Sequence, residues 1–178
     1  GTDTLDFGGT STRSIVIDLS RATSQIINAG LTLTLQSAST VENVIGGALS
    51  DTFTGNSLNN VFTGGAGDDN YVFDTDLTLG GDTINEAGGG ADIIDFSATT
   101  NRSVIIDLST TALQVVNAGL RLTLTSGSTV ESVIGGALSD TFTGNSLHNR
   151  FTGGAGNDTY LFDTDLALGS DIIVEDGG

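Results

Sequence analysis

Apolar residues recur along this chain in short alternating runs rather than at helical spacing. Leu31-Thr-Leu-Thr-Leu35, Ser14 to Leu19, Thr52 to Thr54 and Asn70 to Phe73 read as strands bounded by Gly, Asn, Asp and Ser turns. Few segments place apolar residues at i, i+3, i+4 and i+7, and Gly interrupts nearly every one that does. Helices are therefore not expected. Beneath the strand pattern lies a nine-residue period: from Gly46 the chain reads GGALSDTFT, GNSLNNVFT, GGAGDDNYV. The eighth positions, Phe53, Phe62 and Tyr71, extend upstream to Val44 as an apolar ladder. The sixth positions, Asp51, Asn60 and Asp69, extend to Glu42 as a ladder of oxygen-bearing side chains. Each three-residue strand is expected to bury the eighth residue of its nine, with paired glycines supplying turn conformations that a Cβ would strain.

A longer repeat contains the shorter one. Shifting the sequence by 89 places residues 1–89 on 90–178 without a gap, with 60 identities over the 89 aligned pairs. All ten aromatics fall into matched pairs, among them Phe53/Phe142, Phe62/Phe151, Tyr71/Tyr160 and Phe73/Phe162. The second copy carries Glu131, Asp140, Asn149 and Asp158 beside Val133, Phe142, Phe151 and Tyr160. Residues 1–89 and 90–178 thus read as two continuous repeat units with no linker between them. Nine strand-like runs per unit, joined by regular turns, predict an all-β chain built as a parallel β-roll or β-solenoid.

Composition narrows the chemistry. The chain has 22 acidic against 5 basic residues, a formal charge of -17, and no Cys, Pro, Met or Trp. It has no Lys either. Thiol chemistry, disulfides and zinc-thiolate sites are excluded, and nucleic acid is not an expected partner. A Walker-type phosphate loop is excluded because that motif requires Lys. No stretch approaches the roughly 20 apolar residues that span a bilayer, so membrane insertion is not expected. Self-repulsion at this charge opposes a compact state unless something positive neutralises it.

Two nonapeptides per turn of the chain would stack residues 18 apart, at about 4.8 Å. Asp51 would lie over Asp69, and Glu42 over Asn60. Carboxylates stacked so closely repel unless an ion lies between them. Ca²⁺, which takes 6–8 oxygen ligands from carboxylates, amides and carbonyls, suits the pattern better than Mg²⁺.

Gly64-Gly-Ala-Gly-Asp-Asp-Asn-Tyr-Val72 and Gly153-Gly-Ala-Gly-Asn-Asp-Thr-Tyr-Leu161 fit the nonapeptide GGxGxDxUx. They resemble the calcium-binding repeats of the repeats-in-toxin (RTX) family, and Val41 to Phe73 resembles stretches of its large bacterial surface proteins. The resemblance implies a right-handed parallel β-roll with Ca²⁺ between successive turns, exported by a type I system. By position it gives Asp69 and Asp158 the family's key aspartate role, with Asp51 and Asp140 in the turn below. Gly64, Gly65 and Gly67, with Gly153, Gly154 and Gly156, would supply turn geometry and carbonyl ligands. The family often ends its repeats with text like that after Phe73, which adds Asp74, Asp76 and Asp82, and Asp163, Asp165 and Asp171, as further ligand candidates. Leu49, Leu58, Leu138 and Leu147 depart from the motif's fourth-position Gly, and those turns are expected to fold differently, with Leu turned into the core.

Other singular residues are assigned structural roles. His148 replaces Asn59 of the first unit and reads as a surface substitution. Asp18 and Asp107 read as turn acceptors, and Arg13 and Arg102 as charge partners of nearby acids. The expected protein is not an enzyme but a calcium-binding structural module of a large secreted or cell-surface bacterial protein: an adhesin, surface layer or filament. Its partners would be calcium ions and neighbouring repeats end to end, with surface glycans a further candidate. The competing readings are the calcium-folding export tail of a secreted toxin or hydrolase, and, less well supported, a polysaccharide-acting β-helix enzyme.

Overall fold

The computed structural model describes residues 1–86 and 88–175; Ala87 and the last three positions of the second unit lie outside the described residues. No helix occurs among the described residues, and none is therefore long and apolar enough to cross a membrane. The first unit contributes β1 (Thr4–Asp6), β2 (Val16–Asp18), β3 (Gln25–Asn28), β4 (Leu31–Leu33), β5 (Asn43–Ile45), β6 (Thr52–Thr54), β7 (Val61–Thr63), β8 (Asn70–Val72) and β9 (Gly80–Asn85). The second contributes β10 (Ile93–Asp95), β11 (Ile105–Asp107), β12 (Gln114–Val115), β13 (Leu120–Leu124), β14 (Ser132–Ile134), β15 (Thr141–Thr143), β16 (Arg150–Thr152), β17 (Thr159–Leu161) and β18 (Ile172–Val174).

Pairing is mostly parallel. One sheet runs β1-β5-β7-β9-β13-β12, a second β2-β6-β8-β10-β14-β16-β18, and a third β11-β15-β17, while β3 and β4 form an antiparallel pair. From β5 to β10 the chain changes sheet at every step. The 18-residue register is explicit: Val44 pairs with Phe62, Phe53 with Tyr71, and Phe142 with Tyr160. After the nonapeptides the step lengthens, with Phe62 opposite Ile84 and Tyr71 opposite Ile94. The counterpart of β1 is β10, yet the two stand in different sheets, so successive repeats begin on opposite sides.

The eighth-position ladder runs through the core, with Tyr160 alone of the second unit's ladder only partly buried. Val44, Phe53, Phe62, Tyr71, Val133, Phe142 and Phe151 are all fully buried. Phe53 stacks on Tyr71 at 5.6 Å and Phe142 on Phe151 at 5.8 Å between ring centroids. Such aromatic pairs add about 0.5–1.5 kcal/mol beyond the area they bury. The junction between repeats is packed as well as their interiors: Phe73 lies against Phe96 at 5.9 Å.

Glycine use separates the two kinds of turn. Gly65 and Gly67 both have φ of +104°, and a Cβ on either would run into backbone of the 47–50 turn beneath. The Leu-bearing turns carry no positive φ, so they need no glycine at that place. Leu49 and Leu138 are exposed rather than turned into the core. Arg102 likewise differs from expectation, donating to the carbonyls of Thr75 and Leu77. Asp18 and Asp107 accept from Ser20 and Ser109 as turn acids. The exposed His148 accepts from Ser170 N–H, as Asn59 accepts from Gly81 N–H.

Candidate metal centre

Each sixth-position side chain is placed by the turn before its strand and lies against the backbone of the preceding layer. Asp51 N–H donates to Asp69 Oδ1 at 2.7 Å, Asp69 N–H to Asp92 Oδ1 at 2.9 Å, and Asp92 N–H to Glu131 Oε2 at 2.8 Å. On the opposite edge Asn60 N–H donates to Asp82 Oδ1 and Asp3 N–H to Glu42 Oε2. The second repeat does the same from Val104 to Asp140, Asp140 to Asp158 and Asn149 to Asp171. Between stacked acids there is thus an N–H donor, which favours the charged form and offsets part of the repulsion expected from bare stacking.

Other expected ligands accept backbone hydrogen bonds in this ladder or in the turns beside it. Asp51 accepts Ile15 N–H on Oδ1 and Gly47 N–H on Oδ2, and Asp140 accepts Val104 and Gly136 in the same way. Asp74 and Asp163 close short turns by accepting Asp76 N–H and Asp165 N–H. Asp76 is held down to about 2, chiefly by the N–H of Thr100 and further by Asn101, which reach it across the repeat junction. Asp82 is buried with Oδ2 unpartnered, and desolvation pushes its carboxyl up to about 7.

The pattern changes where the first repeat meets the second. Asp69, Glu86 and Asp92 are buried together, with one carboxylate oxygen from each within 4.8 Å of the other two. Asp69 Oδ2, Glu86 Oε2 and Asp92 Oδ2 are buried without a hydrogen-bond partner. An unpaired buried polar group costs about 1–3 kcal/mol, more when charged, so three at one point call for a ligand or a proton. Burial is the main cause that raises Asp69 to about 7 and Glu86 to about 8, with neighbouring carboxylates adding to it. Asp92 is raised for the same first reason. Tyr71 hydroxyl donates to Glu86 and fixes its orientation. Gly64 leaves the room, since a Cβ there would collide with Asp69, Glu86 and the Tyr71 hydroxyl.

Such a donor set fits a hard cation. Ca²⁺ holds oxygens at 2.3–2.6 Å, so no two of its ligands stand more than about 4.6–5.2 Å apart, and the three carboxylates fall within that limit. Of the expected ligands, Asp69 belongs to this group and Gly64 lines it. Gly65 and Gly67 serve the adjoining turn. In the second repeat Gly153 sits beside Asp158 and Tyr160, whose hydroxyl donates to Glu175 at 2.7 Å. Gly154 and Gly156 repeat the positive-φ turn, and Asp171 holds Asn149 N–H.

Glu86 and Asp92 were absent from the expected ligand set. A signal for Asp92 exists: like Asp51 and Asp69 it lies two residues before a buried apolar residue, here Ile94. The nine-residue count misses it because 23 residues, not 18, separate it from Asp69. No family model and no curated protein sequence matches the chain.

Proposed function

We propose that this chain is a calcium-binding structural repeat module of a secreted or cell-surface protein, folded as a right-handed parallel β-solenoid. The observation that carries the reading is the buried Asp69–Glu86–Asp92 group with three unpartnered oxygens at the repeat junction. The 18-residue registers and the alternation between sheets support the solenoid. The charge of -17 and the buried carboxylates support a cation as counter-charge.

Asp69, Glu86 and Asp92 would hold the ion, and the ion would neutralise their charge and bridge one repeat to the next. Tyr71 orients Glu86, Gly64 gives the group its space, and the apolar ladder excludes water from one side. In a calcium-poor compartment the acids keep the junction loose and the chain exportable. Outside, at about 1 mM calcium, a site with a Kd of about 10⁻⁴–10⁻³ M gains about 0.4–1.4 kcal/mol by mass action. The module's role is then a rod that stiffens where calcium is plentiful.

A calcium titration followed by circular dichroism and isothermal calorimetry, reversed with EGTA, tests this. The unfolding midpoint should rise with calcium and fall back with EGTA, and the binding heat should fall in Asp92→Asn. An identical midpoint in calcium and EGTA, with no binding heat, would sink the reading.

A further inference from the structure

Each carboxylate of the junction group has one oxygen held by a neutral donor. Asp69 Oδ1 accepts Asp51 N–H, Asp92 Oδ1 accepts Asp69 N–H, and Glu86 Oε1 accepts the Tyr71 hydroxyl. The second oxygen of each, Asp69 Oδ2, Asp92 Oδ2 and Glu86 Oε2, has no partner. Asp69 and Asp92 are 0 % exposed and Glu86 is 3 % exposed, so bulk water does not reach the orphaned oxygens. The donors that are present carry no charge. Three ionised carboxylates at this point would therefore keep three negative charges between them.

Nothing nearby supplies the opposite sign. Among the described residues no Arg hydrogen-bonds to any of the three: Arg21 donates to Thr23, and Arg102 to the carbonyls of Thr75 and Leu77. The charges that act on Asp69 are those of Asp51, Asp92 and Asp68, and Asp68 acts on Asp92 as well. Glu131 adds a further carboxylate, accepting Asp92 N–H at 2.8 Å. A Ca²⁺ ion among Asp69, Glu86 and Asp92 thus leaves one ligand charge uncompensated, in a place where that is costly. A trivalent ion brings the ligand charge to zero. Lanthanide ions have close to the radius of Ca²⁺ and the same preference for oxygen, so carboxylate oxygens lying within 4.8 Å of one another admit either. Charge then decides between ions of one size, because attraction to a carboxylate grows in proportion to the charge of the ion.

We infer that the Asp69–Glu86–Asp92 site is matched to a trivalent cation of calcium's size, a lanthanide ion, and holds it in preference to Ca²⁺. The inference rests on the reading that the junction triad binds a hard cation. It adds which charge the site is built for. A trivalent ion at trace concentration would close the junction where Ca²⁺ needs to be abundant. Tyr71 is the reporter for the site, since its hydroxyl, Asp69 Oδ2 and Glu86 Oε1 all meet at the space that a Gly64 Cβ would fill.

Terbium(III) luminescence on the 178-residue chain tests it, read beside the unfolding midpoint in calcium and in EGTA. The chain has two Tyr and no Trp, so terbium emission excited through tyrosine reports an ion close to one of the two. Emission should fall in Tyr71→Phe and in Asp92→Asn and stay in Tyr160→Phe. Halving it should take an excess of calcium chloride of about 100-fold or more over terbium, as an added unit of charge against three carboxylates implies. Displacement by calcium at equal concentration, with the calcium rise in midpoint intact, overturns the inference and leaves the calcium reading standing. So does an absence of tyrosine-excited terbium emission beside an intact calcium rise. Emission that is unchanged in Asp92→Asn places the ion elsewhere and overturns the inference. No emission and no calcium rise together overturn both readings.

Discussion

The same residues stand in two settings in this molecule. Asp69, Tyr71, Phe73, Ile84 and Glu86 are buried beneath the second repeat, whereas Asp158, Tyr160, Phe162, Ile173 and Glu175 are partly or largely open. Within each repeat the hydrogen bonds are alike: Asp51 N–H holds Asp69 as Asp140 N–H holds Asp158, and each tyrosine holds its glutamate. What differs is the cover supplied by Asp92, Ile94 and Phe96 of the following copy. A single repeat thus builds half of a core and half of a site, and contact with the next repeat completes both. That is the behaviour expected of nearest-neighbour repeat architectures, where interfaces carry much of the stability.

The largest effect should come from removing aromatic bulk on the two sides of this comparison. Phe73→Ala leaves a cavity against Phe62 and Phe96 and should cost about 3–5 kcal/mol by urea unfolding. Phe162→Ala should cost less than about 1 kcal/mol, as exposed substitutions do. Equal losses would show that the second repeat's end is covered in solution.

The all-β, mostly parallel pairing was legible because its determinants are local. The ladder from Val44 to Tyr71 and the 18-residue register follow from one buried side chain per strand and a fixed turn length. The acidic group at the junction was legible at only one of its three residues, for the opposite reason. Asp69 sits inside the nonapeptide run, but Glu86 and Asp92 lie past it, where the step lengthens from 18 residues to 22 or 23. Their meeting depends on how much chain the intervening turns absorb, which the nine-residue period does not encode. The exposed Leu49 and Leu138 show the same limit, since a motif departure reveals that a turn differs but not which way its side chain points.

Gly64→Ala and Gly153→Ala rank next. At Gly64 the added methyl meets Asp69, Glu86 and Tyr71 in a closed space, and overpacking of this kind costs about 1–3 kcal/mol. It should also abolish the calcium-dependent rise in midpoint. At Gly153 the neighbours Tyr160 and Glu175 are less confined and can yield, so the loss should be smaller and the calcium response kept. Differential scanning fluorimetry in calcium and in EGTA reads both quantities, and a lost response in Gly153→Ala would break the comparison.

Neutral isosteres probe charge without changing shape. Asp92→Asn keeps the oxygen that accepts Asp69 N–H and removes one buried negative charge. In EGTA it should be as stable as the parent or more stable by about 1 kcal/mol, because an uncompensated buried charge is costly. In calcium it should gain nothing. Glu175→Gln should leave both midpoints within about 0.5 kcal/mol, as expected of a surface change. A calcium-free destabilisation in Asp92→Asn would mean that its carboxylate is compensated by something other than a cation.

The smallest and most diagnostic effect is in the pH profile. Unfolded Asp and Glu titrate near 3.8 and 4.5, whereas burial raises Asp69 to about 7 and Glu86 to about 8. Between these limits the native calcium-free chain retains protons that the unfolded chain has lost. Its stability is therefore full below about pH 4 and falls as pH rises, levelling above about pH 8. Asp82, raised to about 7, adds to the same slope. Asp69→Asn should flatten the calcium-free profile, while Asp158→Asn should flatten it less, because its more open carboxyl is raised with less burial behind it. Calcium competes with those protons, so the midpoint gain from calcium should grow across the same window. A calcium-free midpoint that climbs from pH 5 to pH 8 would mean the junction acids are ionised and compensated in the native state. The contrast between the covered and the open site would then lie in packing alone.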